Sequence, residues 1–293
     1  MGERRAGWQF GVVLAAAWVI LLFLLLPILV TVPVSFTPER YVSMPEWGEW
    51  SLAPYRRVFS SDDWIDSMGQ SVVVALAATA IAVTVGTLAS VGLWRLSSRF
   101  AEAVRWLALM PLIVPPVVSA LAFYQVFVQI KKTAGLQMLD SYPGMIAAHA
   151  ILGIPFVVIT VSTALSNLDV RQEQAARSLG AGMLQTVWHV ILPNVKPGIL
   201  AGAVFAFILS WDEIVVTLFV TSRRIFTLPR RIWSGIRENL DPAIAAVATL
   251  LIAATTAVAV ILVVLMRYRR GAAARGQAAA EGSPRAAIRD AIS

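Results

Sequence analysis

The chain has 293 residues, of which 58% are hydrophobic and only 14% charged, with a mean hydropathy of +0.74. That excludes a soluble domain and describes a polytopic membrane protein, and the net charge of +7, mostly arginine near the ends of apolar segments, reads as membrane topology and not as nucleic-acid binding. No cysteine is present, so disulfides and thiol chemistry are excluded, and two histidines in different kinds of segment, His149 and His189, make neither a zinc cluster nor a histidine-based triad.

Six segments reach the length of roughly 20 residues that a helix needs to cross the hydrocarbon core. They lie near 8–34, 67–94, 104–130, 143–165, 195–220 and 242–266, so the expected fold is an all-α integral membrane protein with one transmembrane domain over 1–266. The first follows Arg4 and Arg5 but is too long for a signal peptide and no small-x-small cleavage site follows, so it is expected to stay as a span. The loop 35–66 is acidic on balance. In the second span Gly86, Ala89 and Gly92 would admit close helix packing.

The third span contains "MPLIVPPVVSALAFY", where Pro111, Pro115 and Pro116 free backbone carbonyls and bend the helix. Two readings stand for that bend, a gate and a static kink. His149, Gln125 and Gln129 are polar residues inside spans, each expected to be an interhelical hydrogen-bonding group.

Next comes a polar stretch between two apolar ones, 167–198, reading "NLDVRQEQAARSLGAGMLQTVWHVILPNVKPG". Asp169 is placed to cap a short helix, Gly180 to stop it in the left-handed region, and a second helical run over 183–192 is expected to end at Pro193. Ala175 and Ala176 allow another surface to approach, and Leu179 offers an apolar knob at the turn. A docking element and a plain solvated connector are both compatible with this chemistry.

The fifth span carries Gly198, Gly202 and Ala206 for close packing, then Asp212 and Glu213 in "FILSWDEIVVTLF". An unpaired carboxylate at hydrocarbon depth costs at least a few kcal/mol, so both must face protein or water. Successive helix positions stand about 100° apart, so one acid can line a path while the other pairs with a neighbour. A cation route and structural pairing are the alternatives. The tail, 267–293, is rich in Ala, Gly, Arg and Ser and is expected to be disordered in the cytoplasm.

Orientation follows from arginine. Arg4 and Arg5, then Arg95, Arg99 and Arg105, then Arg267, Arg269 and Arg270 flank alternate span ends, so both termini and the 167–198 loop are expected in the cytoplasm. The loop 221–241 disobeys, because Arg223, Arg224, Arg230, Arg231 and Arg237 fall on the outer side. Ile225, Leu228, Ile232, Ile236 and Leu240 recur at helical spacing there, which predicts a short amphipathic helix. Reception of another protein through Arg230 and Arg231 is one role for it; phospholipid headgroup contact is the other.

In the polar loop, "QAARSLG", nine residues, then "VILP" resembles the EAA signature of permease subunits of bacterial ABC importers: Ala175, Ala176, Gly180, Val190, Leu192 and Pro193 fall on its places. Gln174 stands where the family has Glu, with Glu173 one residue early. The resemblance implies a coupling helix that seats in a cleft of the ATPase, formed here by Glu173, Gln174, Ala175, Ala176, Leu179, Gly180, Leu192 and Pro193. The departure at Gln174 removes the family's usual charged contact from its place, and Glu173 and Arg177 are the neighbouring charges that could supply another.

"SLAPYRRVFSSDDWIDSMGQSVVVALAATAIAVTVGTLAS", "LMPLIVPPVVSAL", "FILSWDEIVVTLFVT" and "TLPRRIWSGIREN" are similar to the second permease of spermidine/putrescine-type importers. This implies a type I importer fold with six helices, a sister permease, an ATPase dimer, a periplasmic solute-binding protein and a bacterial inner-membrane location. It also implies a path past Asp212, Glu213, Pro115 and Pro116. A polyamine is the expected cargo, with opines, ferric iron and amino-acid derivatives as alternatives within the family. No G-x-x-x-x-G-K-[ST] loop occurs, so ATP and magnesium are expected on the partner ATPase, with no cofactor and no catalysis in this chain. A proton-coupled secondary transporter using Asp212 or Glu213 and a membrane scaffold are the readings from other classes.

Overall fold

The computed structural model describes residues 3–39, 42–46, 48–96, 98–238, 241–257 and 260. It divides into two compact units, Met1–Ser60 with Asn239–Ser293, and Ser61–Glu238.

In the first unit, α1 (Glu3–Val34) is apolar over most of its length, and every residue from Phe10 to Val30 is exposed, as in a helix facing lipid or other membrane helices; only its last turn, ending at the buried Val34, packs within the chain. It ends in a knot of contacts: Ser35 Oγ lies 2.7 Å from the Tyr55 hydroxyl, and Phe36 packs against Trp50 and Tyr55. Tyr55 belongs to α2 (Ala53–Ser60), whose Arg57 donates to the Glu39 carbonyl and pairs with Asp241 at 3.4 Å. The apolar helix α12 (Ala243–Ala257) completes the unit. The rest of the expected sixth span and the tail lie outside the described residues.

The second unit is built on α3 (Asp62–Arg95), α6 (Tyr142–Ser166) and α9 (Leu192–Asp212). Small residues set their spacing. A Cβ at Gly86 would stand 2.7 Å from Val157 Cβ, and one at Gly202 would stand 2.9 Å from Val157 Cα, so α6 lies close to both neighbours. Ala82 meets Gly153 and Gly86 meets Val157, so α3 and α6 run parallel. Gly198 meets Ala164, Gly202 meets Thr160 and Ala206 meets Gly153, so α9 runs antiparallel to them. Of the small residues expected to pack, Gly92 meets nothing within 4 Å.

The third span is not one helix. It is α4 (Arg99–Ile113) and α5 (Pro116–Ala134), bent by 109° at Val114–Pro115. Proline at the N-cap and first position of α5 starts a new helix instead of kinking an old one, since its missing N–H is no loss there. The pair still carries the chain across the bundle. It leaves the C-terminal end of α3 and delivers the chain to the N-terminal end of α6, and in a parallel pair these are opposite ends.

The polar loop is shorter than the sequence suggests. α7 (Val170–Ser178) is followed by a turn and then by continuous helix: α8 (Met183–Thr186), a π-helical turn (Val187–Ile191) and α9. The helix does not stop at Pro193. The wider π turn relocates the backbone bonds just ahead of that proline, which then sits in the first turn of α9, where it is tolerated. The break comes later, after Asp212, and α10 (Val215–Val220) and the amphipathic α11 (Leu228–Glu238) follow. The expected span 195–220 is therefore Met183–Asp212 plus a separate short helix.

Candidate coupling site and translocation face

The candidate coupling element rests on an apolar base, Leu165, Leu168, Ile191 and Val195, all buried in one cluster with Val91 of α3 and Val157 of α6. Asp169 caps α7 by accepting from the Arg171 N–H at 2.9 Å, as its position predicts. Gly180 closes the helix at φ +87°, with its own N–H on the Arg177 carbonyl and the Ala181 N–H on that of Ala176. Asn194 donates to Gln172 Oε1 at 3.0 Å and to the Val190 carbonyl at 2.7 Å, joining α7 to the stem of α9.

The eight residues expected to couple do not share one face. Gln174, Ala175, Leu179 and Gly180 stand exposed, and Leu179, at 89% exposure, is an apolar side chain that nothing among the described residues covers. Met183, Leu184 and Trp188 extend the exposed apolar surface beyond the turn. Ala176 and Leu192 are half-buried, and Pro193 is exposed on the helix stem. Glu173 turns inward. Its carboxylate lies 2.7 Å from Arg95 Nη2 at the end of α3, with side-chain exposures of 12% and 14%, and Arg177 approaches it at 3.6 Å. An open recess of about 530 Å³ beside the pair is lined by Trp94, Arg95, Val170, Glu173, Arg177 and Met183. The sequence gives no sign of Arg95 in this role; it counts there only as a topology marker.

At the opposite end of α6, His149 is buried to 2%. Its Nδ1 lies 2.8 Å from Ser210 Oγ on α9 and its Nε2 3.5 Å from Thr217 Oγ1 on α10, so it bridges the two sides of the helix break, as an interhelical hydrogen-bonding group would. The acids at that break differ in their bonding but not in their location, because Glu213 lies past the helix end in extended backbone and the helical spacing of about 100° no longer separates the two. Glu213 caps α10, accepting the Val216 N–H at 2.9 Å, while Asp212 is exposed. Both line an open recess of about 300 Å³ with Phe156, Phe205, Ile208 and Leu209. Pro115 and Pro116 are at the α4–α5 bend and are not among the residues lining it. Gln125 and Gln129 stand exposed on α5, unlike His149.

The arginine-rich loop is held by an acid that sequence reasoning missed. Asp140, itself at φ 52°, accepts from the backbone N–H groups of Ser222, Arg223, Arg224 and Ile225 between 2.9 and 3.4 Å. Burial raises the pKa of this carboxyl, and the four N–H donors outweigh it, bringing the value down from 3.8 to about 2. Nothing in "LDSYPG" announces such a partner 80-odd residues away.

Arg230 closes the same loop, donating to the Ser222 and Ile225 carbonyls and to Thr221 Oγ1, with its guanidinium 4.4 Å from the centre of Phe226. Burial lowers its pKa and the charge of Asp140 opposes that. Arg231 pairs with Asp63 at 3.2 Å and donates to Ser67, both at the start of α3. The two arginines expected to receive a binding protein are thus engaged inside the chain, whereas Arg223, Arg224 and Arg237 are exposed. The expected amphipathic helix is present as α11; Leu240 lies outside the described residues.

Residues 82–271 match the family described as binding-protein-dependent transport system inner membrane component. The chain is 30% identical over 249 residues to the putrescine transport system permease protein PotI of Escherichia coli (strain K12), covering 85% of this chain and 86% of that one. It is 29% identical over 238 residues to the spermidine/putrescine transport system permease protein PotC of Haemophilus influenzae, covering 81% and 90%. Among solved structures, a chain of the bacterial alginate ABC transporter in complex with alginate pentasaccharide-bound periplasmic protein superposes with a TM-score of 0.68 at 15% identity, over 91% of this chain and 96% of that one. At that identity the likeness concerns the fold.

Proposed function

The chain belongs to the binding-protein-dependent transport system inner membrane components, and from that premise we propose that it forms half of the path of an ATP-driven importer of small cationic amines. As a permease subunit of an ABC importer it lies in the inner membrane as a transport component. The finer reading has six spans with both termini in the cytoplasm, a sister permease for the other half of the path, and ATP with its magnesium on a dimer of ATPase subunits. A periplasmic binding protein delivers the cargo.

In this mechanism the ATPase grips the turn around Leu179 and Gly180, and its closure displaces α7. The displacement tilts α6 and α9 against the sister subunit and switches the path from one opening to the other. The observation that carries the reading is the uncovered Leu179 on a left-handed Gly180 turn, set on an apolar base continuous with the α3–α6–α9 core.

A cationic amine is favoured as cargo because Asp212 and Glu213 share their recess with Phe156 and Phe205, whose ring centres are 6.2 Å apart. Carboxylates attract ammonium groups, and aromatic faces hold them once water is removed. The binding-protein face falls to the exposed Arg223, Arg224 and Arg237, with Arg230 and Arg231 as its internal supports. The test is uptake of labelled putrescine into vesicles holding the full complex. ATP-dependent uptake that falls at least tenfold in Asp212→Asn is expected; uptake that persists without ATP, or that the variant leaves unchanged, overturns the proposal.

A further inference from the structure

We propose that α3 is a second transmission rod of the permease: the Arg95–Glu173 pair fastens the coupling helix to one end of it, and its other end carries the motion to α11. The inference rests on the coupling reading above. The chain joins α7 directly only to α6 and, through the turn, to α8 and α9. No chain connection joins α7 to α3, so among the described residues it is the ion pair, with apolar packing, that fixes one to the other.

Its geometry suits that task. At 2.7 Å and with both side chains largely enclosed, the pair is a short charge-assisted contact and not a loose surface bridge. Arg95 Nε and Nη1 are enclosed without partners among the described residues, so the Glu173 carboxylate, which Arg177 also approaches, is the acid that holds Arg95. Separating the pair would leave an enclosed Arg95 without that acid, a cost that ties the movement of α3 to that of α7.

The rod itself is continuous. With 34 residues and no proline, α3 is about 51 Å long at 1.5 Å per residue. By contrast, the α4–α5 pair and the helix ending at Asp212 are both broken. Four contacts at its N-terminal end hold the α10–α11 loop and α11. Gln70 Oε1 accepts the Phe226 N–H at 2.6 Å, Ser71 Oγ accepts the Leu228 N–H at 2.8 Å, and Arg231 meets Asp63 and Ser67 at 3.2 Å each. A push at α7 therefore reaches α11 without passing through the broken elements. Arg95 acts in this as a positioning residue.

The experiment uses the assembled complex of both permeases, ATPase and binding protein in vesicles, and reads the ratio of hydrolysis with loaded binding protein to hydrolysis without it. Arg95→Glu and Glu173→Arg are each expected to lower that ratio roughly 3- to 30-fold while the complex still copurifies. The double exchange is expected to bring it back to within about threefold of the original, which a role in stability alone does not require of the ratio. Single exchanges without effect, or a double exchange no better than the singles, overturn the rod. Leu179→Asp is the control for the underlying reading: a normal ratio there sinks the coupling site itself, whereas loss there with a normal ratio in Arg95→Glu sinks only the rod.

Discussion

Replacing Gly180 separates what the turn needs from what its partner needs. At φ +87° an L side chain costs roughly 1–2 kcal/mol, a factor of about 5 to 30 against the turn. Two hydrogen bonds hang on that turn, Gly180 N–H to Arg177 at 2.9 Å and Ala181 N–H to Ala176 at 3.1 Å. A Cβ at the position meets no atom of the described residues within 4 Å. Inside the permease, Gly180→Ala and Gly180→Leu therefore carry the same penalty, and Gly180→Asn a smaller one because asparagine tolerates this region. Any further loss in the leucine variant reports the ATPase surface. The assay is binding-protein-stimulated ATP hydrolysis and cargo uptake by the reconstituted complex. The expected order of residual activity is Gly, Asn, Ala, Leu, with a clear step between the last two. Equal activity in Ala and Leu would mean that nothing seats on the turn, and wild-type activity in both would refute its role altogether.

Gly202→Ala should lower the melting temperature in detergent by a few degrees, through overpacking of about 1–3 kcal/mol, because the new methyl would stand 2.6 Å from Thr160 Oγ1 and 2.9 Å from the Val157 backbone; an unchanged melting temperature would contradict the close α6–α9 approach. Asp140→Asn should lower it as well, since an amide replaces four N–H bonds to a charge with fewer and weaker ones. The folded pKa of Asp140 lies below its ordinary 3.8, at about 2, so its contribution is complete above pH 3.8 and lost as pH falls through about 2. The deficit of the variant should then be constant from pH 5 to pH 8, and a deficit that varies across that window would refute the assignment. The chain has no cysteine, so single cysteines at Leu179 and at Arg223 can be labelled selectively. A membrane-impermeant reagent added to spheroplasts should reach only the second, and labelling at Leu179 would reverse the orientation.

Much of this was legible in the sequence because it follows from local chemistry. Asp169 as a cap, Gly180 as a left-handed stop and the amphipathic run that became α11 each need only a few neighbouring residues to declare themselves. Helix continuity was harder to read. Pro193 looked like a terminator, yet a π-helical turn ahead of it let the helix continue, whereas Pro115 and Pro116 looked like a kink and proved to be a full break. A proline fixes which bond is lost but not where the surrounding helices return it. The sites also depend on partners distant in the chain. Glu173 to Arg95 spans 78 positions and Asp140 to Arg224 spans 84, and no spacing rule reaches across separate helices.

The same distant partners account for the arginines that offended the topology. Arg231 is joined to Asp63 at the start of α3, while Glu173 is joined to Arg95 at its end, about 50 Å of helix away. That exceeds the roughly 30 Å of hydrocarbon in a bilayer, so α3 is long enough to hold the arginine-rich loop and the 167–198 loop on opposite sides of one, as the proposed orientation requires. Of the five arginines, Arg230 is embedded among carbonyls beside Asp140, and Arg231 is paired. Only Arg223, Arg224 and Arg237 present charge outward, and Arg237 lies 5.1 Å over the Trp233 ring. A rule that counts arginines by position treats all five as free cations facing a membrane potential. Two of them instead serve as internal braces of the arginine-rich loop, Arg231 on Asp63 of α3 and Arg230 on the carbonyls of a loop that Asp140, between α5 and α6, holds in place.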